Sequence, residues 1–234
     1  MDCATGETVW KIDRNERSNW STPFIWEKRQ RTEIVTQGAG KIRSYDLSGN
    51  LLWELTGMSS ITIPTPLSGH GMVYVSSGFN GSRRRPVYAI RPGAFGDISL
   101  RERESSNRFI AWSQPGAAAY NPSPLLLGDQ IYVLLDRGTL SSWDARTGAE
   151  IYSFQRIHPD AKAFTTSPWA YDGKIFCLSE DGDTFVIQAG AEMSVLAKNS
   201  LGEMCMSSPA MVPNALIIRT IQALYRIGES PTLE

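Results

Sequence analysis

The feature that most limits what this chain can fold into is a recurring step in which a serine or threonine precedes a proline and apolar residues follow. It occurs as Ser21-Thr22-Pro23-Phe24, Thr65-Pro66-Leu67, Ser123-Pro124-Leu125, Ser167-Pro168-Trp169 and Ser208-Pro209-Ala210. The steps return about every 40–45 residues with one longer interval, between Pro66 and Pro124, and such a period marks a repeat architecture rather than an unrepeated domain.

Each step is followed by a β-branched or aromatic run too short for a helix: Glu33-Ile34-Val35-Thr36, Met72-Val73-Tyr74-Val75, Gln130-Ile131-Tyr132-Val133-Leu134, Lys174-Ile175-Phe176-Cys177-Leu178 and Ala215-Leu216-Ile217-Ile218. These read as buried strands. A third run then follows a polar or glycine turn, as in Lys41-Ile42-Arg43-Ser44-Tyr45, Thr139-Leu140-Ser141-Ser142-Trp143 and Ala223-Leu224-Tyr225-Arg226-Ile227. Its alternation suits a strand with one buried face.

The fourth element has the sharpest signature. Asp2-Cys3-Ala4-Thr5-Gly6 leads to Trp10, Asp46-Leu47-Ser48-Gly49 to Trp53, and Asp144-Ala145-Arg146-Thr147-Gly148 to Tyr152. The Asp side chain binds backbone amides of the turn, the glycine supplies a positive φ, and the aromatic packs between neighbouring sheets.

Four strands per period predict an all-β fold, a β-propeller of four-stranded antiparallel blades forming a single domain over residues 1–234. The blades fall at about 20–57, 62–115, 120–157, 163–199 and 205–229. Residues 91–107 read as a polar insertion before a fourth strand at Phe109-Ile110-Ala111-Trp112. The chain opens mid-blade and its last blade has only three strand-like runs. Residues 8–12 are therefore expected to pair with 223–227 and complete the last blade, and an edge left unpaired offers a route to oligomers.

Lys and Arg number 23 against 24 Asp and Glu, a net charge of -1. No general attraction to nucleic acid or anionic lipid follows. No apolar run reaches the roughly 20 residues of a spanning helix, and residues 1–20 carry no leader-like apolar core. Cys3, Cys177 and Cys205 form no paired-cysteine motif and imply no disulfide framework.

At the Asp-x-x-Thr-Gly-x-x-x-Trp steps the sequence resembles the quinoprotein-like, or pyrroloquinoline quinone (PQQ)-like, propeller repeat family. The resemblance is strongest at residues 2–10, 44–53 and 142–152. Members usually have seven or eight blades, so the chain resembles the C-terminal portion of a longer bacterial member, and related proteins are periplasmic or secreted. The single Trp-Asp and Gly-His dipeptides lie in different blades, which argues against the WD40 pattern, and the kelch glycine pair is absent.

In a propeller, ligands meet loops at the channel mouth. A quinone with Ca²⁺ would need cations, an aromatic floor and oxygen ligands. Arg137 and Arg219 stand at matching loop positions as cations, Trp20 and Trp169 as platforms, and Glu180, Asp181 and Asp183 as metal ligands. The adjacent-cysteine pair of quinoprotein dehydrogenases is missing. Asp181-Gly182-Asp183 lacks the other EF-hand ligands and reads as a tight turn. Arg83-Arg84-Arg85 and Lys28-Arg29-Gln30-Arg31 read as solvated hairpin tips. His70 and His158 lack zinc-site spacing, and no G-x-S-x-G elbow occurs. The reading that follows is a non-catalytic scaffold that binds a protein or small ligand at the channel mouth. The alternatives are a PQQ- and calcium-dependent oxidoreductase and, third, a hydrolase whose site carries no motif.

Overall fold

A computed structural model describes residues 1–29 and 31–228. Among them there are strands and no helix. The first sheet contains β1 (Phe24–Glu27), β2 (Thr32–Gln37), β3 (Lys41–Tyr45) and β4 (Leu51–Thr56), each antiparallel to the next. The second contains β5 (Leu67–Gly69), β6 (Met72–Ser76) and β7 (Val87–Ile90), then passes over β8 (Gly96–Asp97) to close with β9 (Ile110–Gln114). The third sheet is β10 (Leu125–Leu127), β11 (Gln130–Leu135), β12 (Thr139–Asp144) and β13 (Glu150–Arg156). The fourth is β14 (Trp169–Tyr171), β15 (Lys174–Leu178), β16 (Asp183–Gln188) and β17 (Ser194–Ser200). The last is β18 (Ala210–Val212), β19 (Ala215–Arg219) and β20 (Leu224–Gly228). Apart from β8, which leaves the second repeat to join the edge of the first sheet, neighbours in sequence are neighbours in each sheet, the up-and-down order of propeller blades, and the fold is the all-β propeller that the repeat predicts.

The chain divides into two compact units. One comprises Met1–Tyr120 with Arg146–Gly148, the other Asn121–Ala145 with Ala149–Glu234.

In the first unit, Trp26, Val35, Ile42, Trp53 and Leu55 of the first sheet pack with Val73, Val75, Ile90 and Ile110 of the second. One charge sits in this core. Glu33 is wholly buried, paired with Lys28 and with Arg31 Nε at 2.8 Å, and accepts hydrogen bonds from Ser44 Oγ at 2.7 Å and Trp53 Nε1 at 2.8 Å. A buried carboxylate is tolerable only when its acceptor sites are filled in this way. Lys28 and Arg31 are thus drawn inward to Glu33, which corrects their reading as solvated tips. Gln30 of that segment lies outside the described residues.

The insertion also differs from the expected polar loop. β8 pairs parallel to β4, with Trp53 opposite Gly96 and Glu54 opposite Asp97. The Ile98 amide donates to the Glu54 carbonyl at 2.9 Å, the Thr56 amide donates to Ser99 Oγ at 2.9 Å, and Ala94 and Ile98 are buried. Its short strand covers the outer edge of the first sheet, where unpaired ladder groups would otherwise face water.

Residues 8–12 carry no strand. Among the described residues the fifth sheet has three strands. Trp10 Nε1 donates to the Leu47 carbonyl at 2.8 Å, Arg14 Nη1 donates to Thr36 Oγ1 at 3.0 Å, and Glu16 pairs with Arg43. These contacts fasten the segment to the first sheet as a strap.

The Asp-Gly turns are built as the sequence predicts. Asp2 Oδ1 accepts the Ala4 and Thr5 amides at 2.9 Å, and Asp46 Oδ1 accepts those of Ser48 at 2.9 Å and Asn50 at 2.8 Å. The glycine has a second task. Gly148, at φ +73°, lies so close beneath the Trp112 ring that an added Cβ would stand 2.6 Å from it. Gly49 lies beneath Trp10 in the same manner.

In the second unit, Tyr132, Leu134 and Leu140 pack with Ile175, Cys177, Phe185 and Ile187. Burial pushes the Cys177 thiol pKa up and leaves it a small hydrophobe. The serine of the repeated step has a structural task here: the Ser123 amide donates to Ser167 Oγ at 3.0 Å, and the Ser167 amide to Ser208 Oγ at 2.8 Å. Each hydroxyl ties the entry of its sheet to the one before it.

Candidate functional site

An exposed apolar feature of the second unit is built from the last two sheets. Register places Met211 opposite Leu216 and Leu216 opposite Ile227, so the three share a face. Ile218 and Tyr225, on the same face, close the core with Trp169, Leu178 and Cys205. Beyond them, Met211, Leu216 and Ile227 join Trp169, Tyr171 and Phe176 around a cleft of about 460 Å³. Trp169 stacks on Phe176 with ring centres 5.4 Å apart and forms a rigid wall. Tyr171 is 70% exposed and Met211 54%. On the opposite face of the sheet Leu224 is 71% exposed. β20 ends the sheet, so its outer ladder groups are unmatched among the described residues.

The β19–β20 turn is held by Glu203, whose two carboxylate oxygens accept the Thr220 and Tyr225 hydroxyls. Those bonds hold its carboxyl below the usual glutamate range and push the Tyr225 phenol up. The arrangement offers a stiff hydrophobic wall, a cleft and a strand edge, which is the equipment of a protein-binding surface.

The residues singled out for a quinone are placed differently from one another. Trp20, in the first unit, is 63% exposed, its amide donating to the Thr62 carbonyl at 3.0 Å. Trp169 is buried and belongs to the cleft wall. Arg137 is exposed in the β11–β12 turn, with its carbonyl accepting from Arg156, and Arg219 is exposed at the end of β19. Glu180 accepts the Thr165 hydroxyl, and Asp181 is exposed in a turn closed by the Gly182 amide donating to the Ser179 carbonyl at 3.0 Å. Asp183 opens β16 and pairs with Lys198 Nζ at 2.9 Å. Burial raises the Asp183 pKa, but the Lys198 and Ser200 hydrogen bonds outweigh it and hold the carboxyl below its usual value. His158 Nδ1 accepts the Asp160 amide at 3.1 Å and its ring lies against Phe185.

These residues do not fit a calcium-bound quinone. Among the described residues no three His, Cys, Asp or Glu side chains come together, Asp183 is already neutralised by a lysine, and Trp169 stacks on a neighbouring ring instead of lining an open floor. The cleft residues Tyr171, Met211 and Ile227, and Leu224 on the opposite face, were not singled out by motif. Their sequence signal is a last repeat that carries large apolar residues on both alternating faces.

Residues 1–154 match the family model described as outer membrane protein assembly factor BamB. No curated protein matches the chain. Among solved structures, BamB from Moraxella catarrhalis is similar with a TM-score of 0.66 at 12% identity, covering 94% of this chain and 62% of that one. A chain of the Mitotic Checkpoint Complex is similar with a TM-score of 0.57 at 14% identity, covering 88% of this chain and 61% of that one. At such identities the likeness is one of fold, and this chain spans less than two thirds of either structure. The family model, the repeated Asp-Gly turns and the four-stranded sheets agree, and the chain belongs to the PQQ-like repeat β-propeller family of the outer membrane assembly factor BamB.

Proposed function

We propose that the chain is a non-catalytic propeller scaffold that binds a protein partner at the cleft and free edge of its fifth sheet. The observation that carries this reading is the exposed apolar set of Tyr171, Met211 and Ile227 around a cleft of about 460 Å³, with Leu224 exposed on the opposite face of the same edge strand. Surfaces of this kind on soluble domains mark interaction sites. The occupant is an extended segment of the partner, which adds as a fourth strand beside β20 and sets an apolar side chain into the cleft against Trp169. Main-chain hydrogen bonds supply affinity in such strand addition, and the pocket supplies selection. The family description supports a setting in outer-membrane protein assembly, and hence in the periplasm.

The test is a photo-reactive amino acid in place of Leu224 in the full chain, expressed in its own cells, with the same group in place of Arg103 as the control. The expected result is one discrete adduct from position 224 with a protein of the outer-membrane assembly machinery. No adduct at 224, or the same adducts from both positions, overturns the reading.

A further inference from the structure

The first unit carries a second, chemically opposite cleft. It is about 430 Å³ in volume and brings together Arg17 of the strap, Gly40 of the β2–β3 turn, Ser60 of the link that follows β4, and Ser82, Arg83 and Arg84 of the β6–β7 loop. Four separate segments therefore meet there. No carboxylate lines it, although Asp and Glu together outnumber Lys and Arg in the chain as a whole.

Several cations of the chain are held by carboxylates. Lys28 and Arg31 are spent on Glu33, Arg43 on Glu16 and Glu54, Lys41 on Glu54, and Lys198 on Asp183 and Asp160. Arg17, Arg83 and Arg84 have no such partner among the described residues. All three are exposed, so they remain hydrated and available to a ligand.

The serines add a neutral donor. The Ser60 amide donates to Ser82 Oγ at 3.1 Å, and the two hydroxyls lie 3.1 Å apart. One hydroxyl proton satisfies that mutual contact, which leaves the other free to donate into the cleft. Guanidinium forks with a hydroxyl and no acceptor carboxylate are matched by a tetrahedral oxyanion with several lone pairs, to which arginine binds bidentately.

We infer that the cleft lined by Arg17, Arg83, Arg84, Ser60 and Ser82 is a binding site for a phosphate-type oxyanion, carried on a soluble phosphoester or on a lipid headgroup. The site goes beyond the partner surface of the second unit and shares no residue with it. Its Arg83-Arg84 pair, a solvated tip on sequence grounds, becomes a recognition element once Arg17 is brought beside it by the strap.

The test is calorimetric titration of the full chain with pyrophosphate at about 50 and 200 mM salt, using the wild type, R83Q/R84Q, R17Q, and the charge-matched control R101Q/R103Q in the exposed insertion. The site predicts saturable one-to-one binding, at least a tenfold loss of affinity in R83Q/R84Q, a smaller loss in R17Q, and no change in the control. Co-sedimentation with vesicles of phosphatidylcholine carrying anionic phospholipid separates the two carriers. Vesicle binding lost in R83Q/R84Q assigns the lipid source, and pyrophosphate binding without it assigns the soluble one. Absent saturation by either probe, an equal loss in the control pair, or binding to polyglutamate alone overturns the inference. Unchanged thermal unfolding of each variant separates loss of the site from loss of the fold.

Discussion

The first and the fifth sheets are copies of one repeat and have been finished in opposite ways. The first has its outer edge covered by β8, a strap fastened to it by Trp10, Arg14 and Glu16, and a wholly buried carboxylate satisfied by four side chains. Among the described residues the fifth has three strands, no strand beyond β20 and large apolar residues facing solvent. An edge that is closed within the chain serves stability, and an edge that stays open is where a repeat protein can accept a foreign strand.

The largest break in that contrast should come from Glu33→Ala. It leaves the Lys28 and Arg31 charges and the Ser44 and Trp53 donors unmatched, and removing one partner of a buried pair costs about 3–5 kcal/mol. Guanidinium unfolding, read by loss of hydrogen-exchange protection in β2–β4, measures it. Acid sharpens the same point. Burial raises the Glu33 pKa, but the bonds from Lys28, Ser44, Arg31 and Trp53 outweigh it and leave the folded value below 4.5. A carboxylate with a depressed folded pKa stabilises above its unfolded value and loses that stabilisation as pH falls through the folded value. Protection of β2–β4 should therefore weaken below about pH 4.5 in the wild type, and Glu33→Gln should flatten that limb.

Gly148→Ala comes next. Its Cβ would meet the Trp112 ring at 2.6 Å from a backbone with φ +73°, and overpacking together with strain costs about 2–3 kcal/mol. Thermal unfolding of the variant is the check, and an unchanged melting temperature would mean that the turn relaxes away from the indole. A smaller effect is expected from Ser208→Ala, which removes only the acceptor of the Ser167 amide. It should cost about 1 kcal/mol, seen as faster exchange at Ser167. Smallest for stability is the pair Leu224→Asp with Ile227→Asp, exposed positions where unfolding should shift by no more than about 0.5 kcal/mol. If the fifth sheet were finished like the first, the pair would destabilise strongly instead.

The comparison also shows what a sequence can carry. Runs such as Gln130-Ile131-Tyr132-Val133-Leu134 and Lys174-Ile175-Phe176-Cys177-Leu178 were legible because strand, turn and proline return in a fixed order, and β11 and β15 lie on them. The Asp-Gly turns were legible because their chemistry is local, within five residues of the aspartate. What escaped depends on distant partners. Glu33 alternates like any surface strand residue, and only the fold brings Trp53 and Ser44 to it. β8 is two residues long and pairs by backbone, which leaves no side-chain pattern. Asp183 looked free until Lys198 came across the β16–β17 pair. Residues 8–12 have the Thr-Val-Trp-Lys-Ile composition of a strand, and the contacts of Trp10, Arg14 and Glu16 with the first sheet left no local signal. In the site, Trp169 was named by sequence, but its role as a stacked cleft wall depends on Phe176 across the sheet.

The most direct measurement is hydrogen exchange of the full chain alone and saturated with the partner captured at position 224. Protection gained at Leu224–Gly228 and around Met211, with the β11–β12 and β15–β16 turns unchanged, is the expected result. Protection confined to those turns, or to the first unit, with β20 exchanging as before, would contradict a scaffold that works through its open fifth sheet.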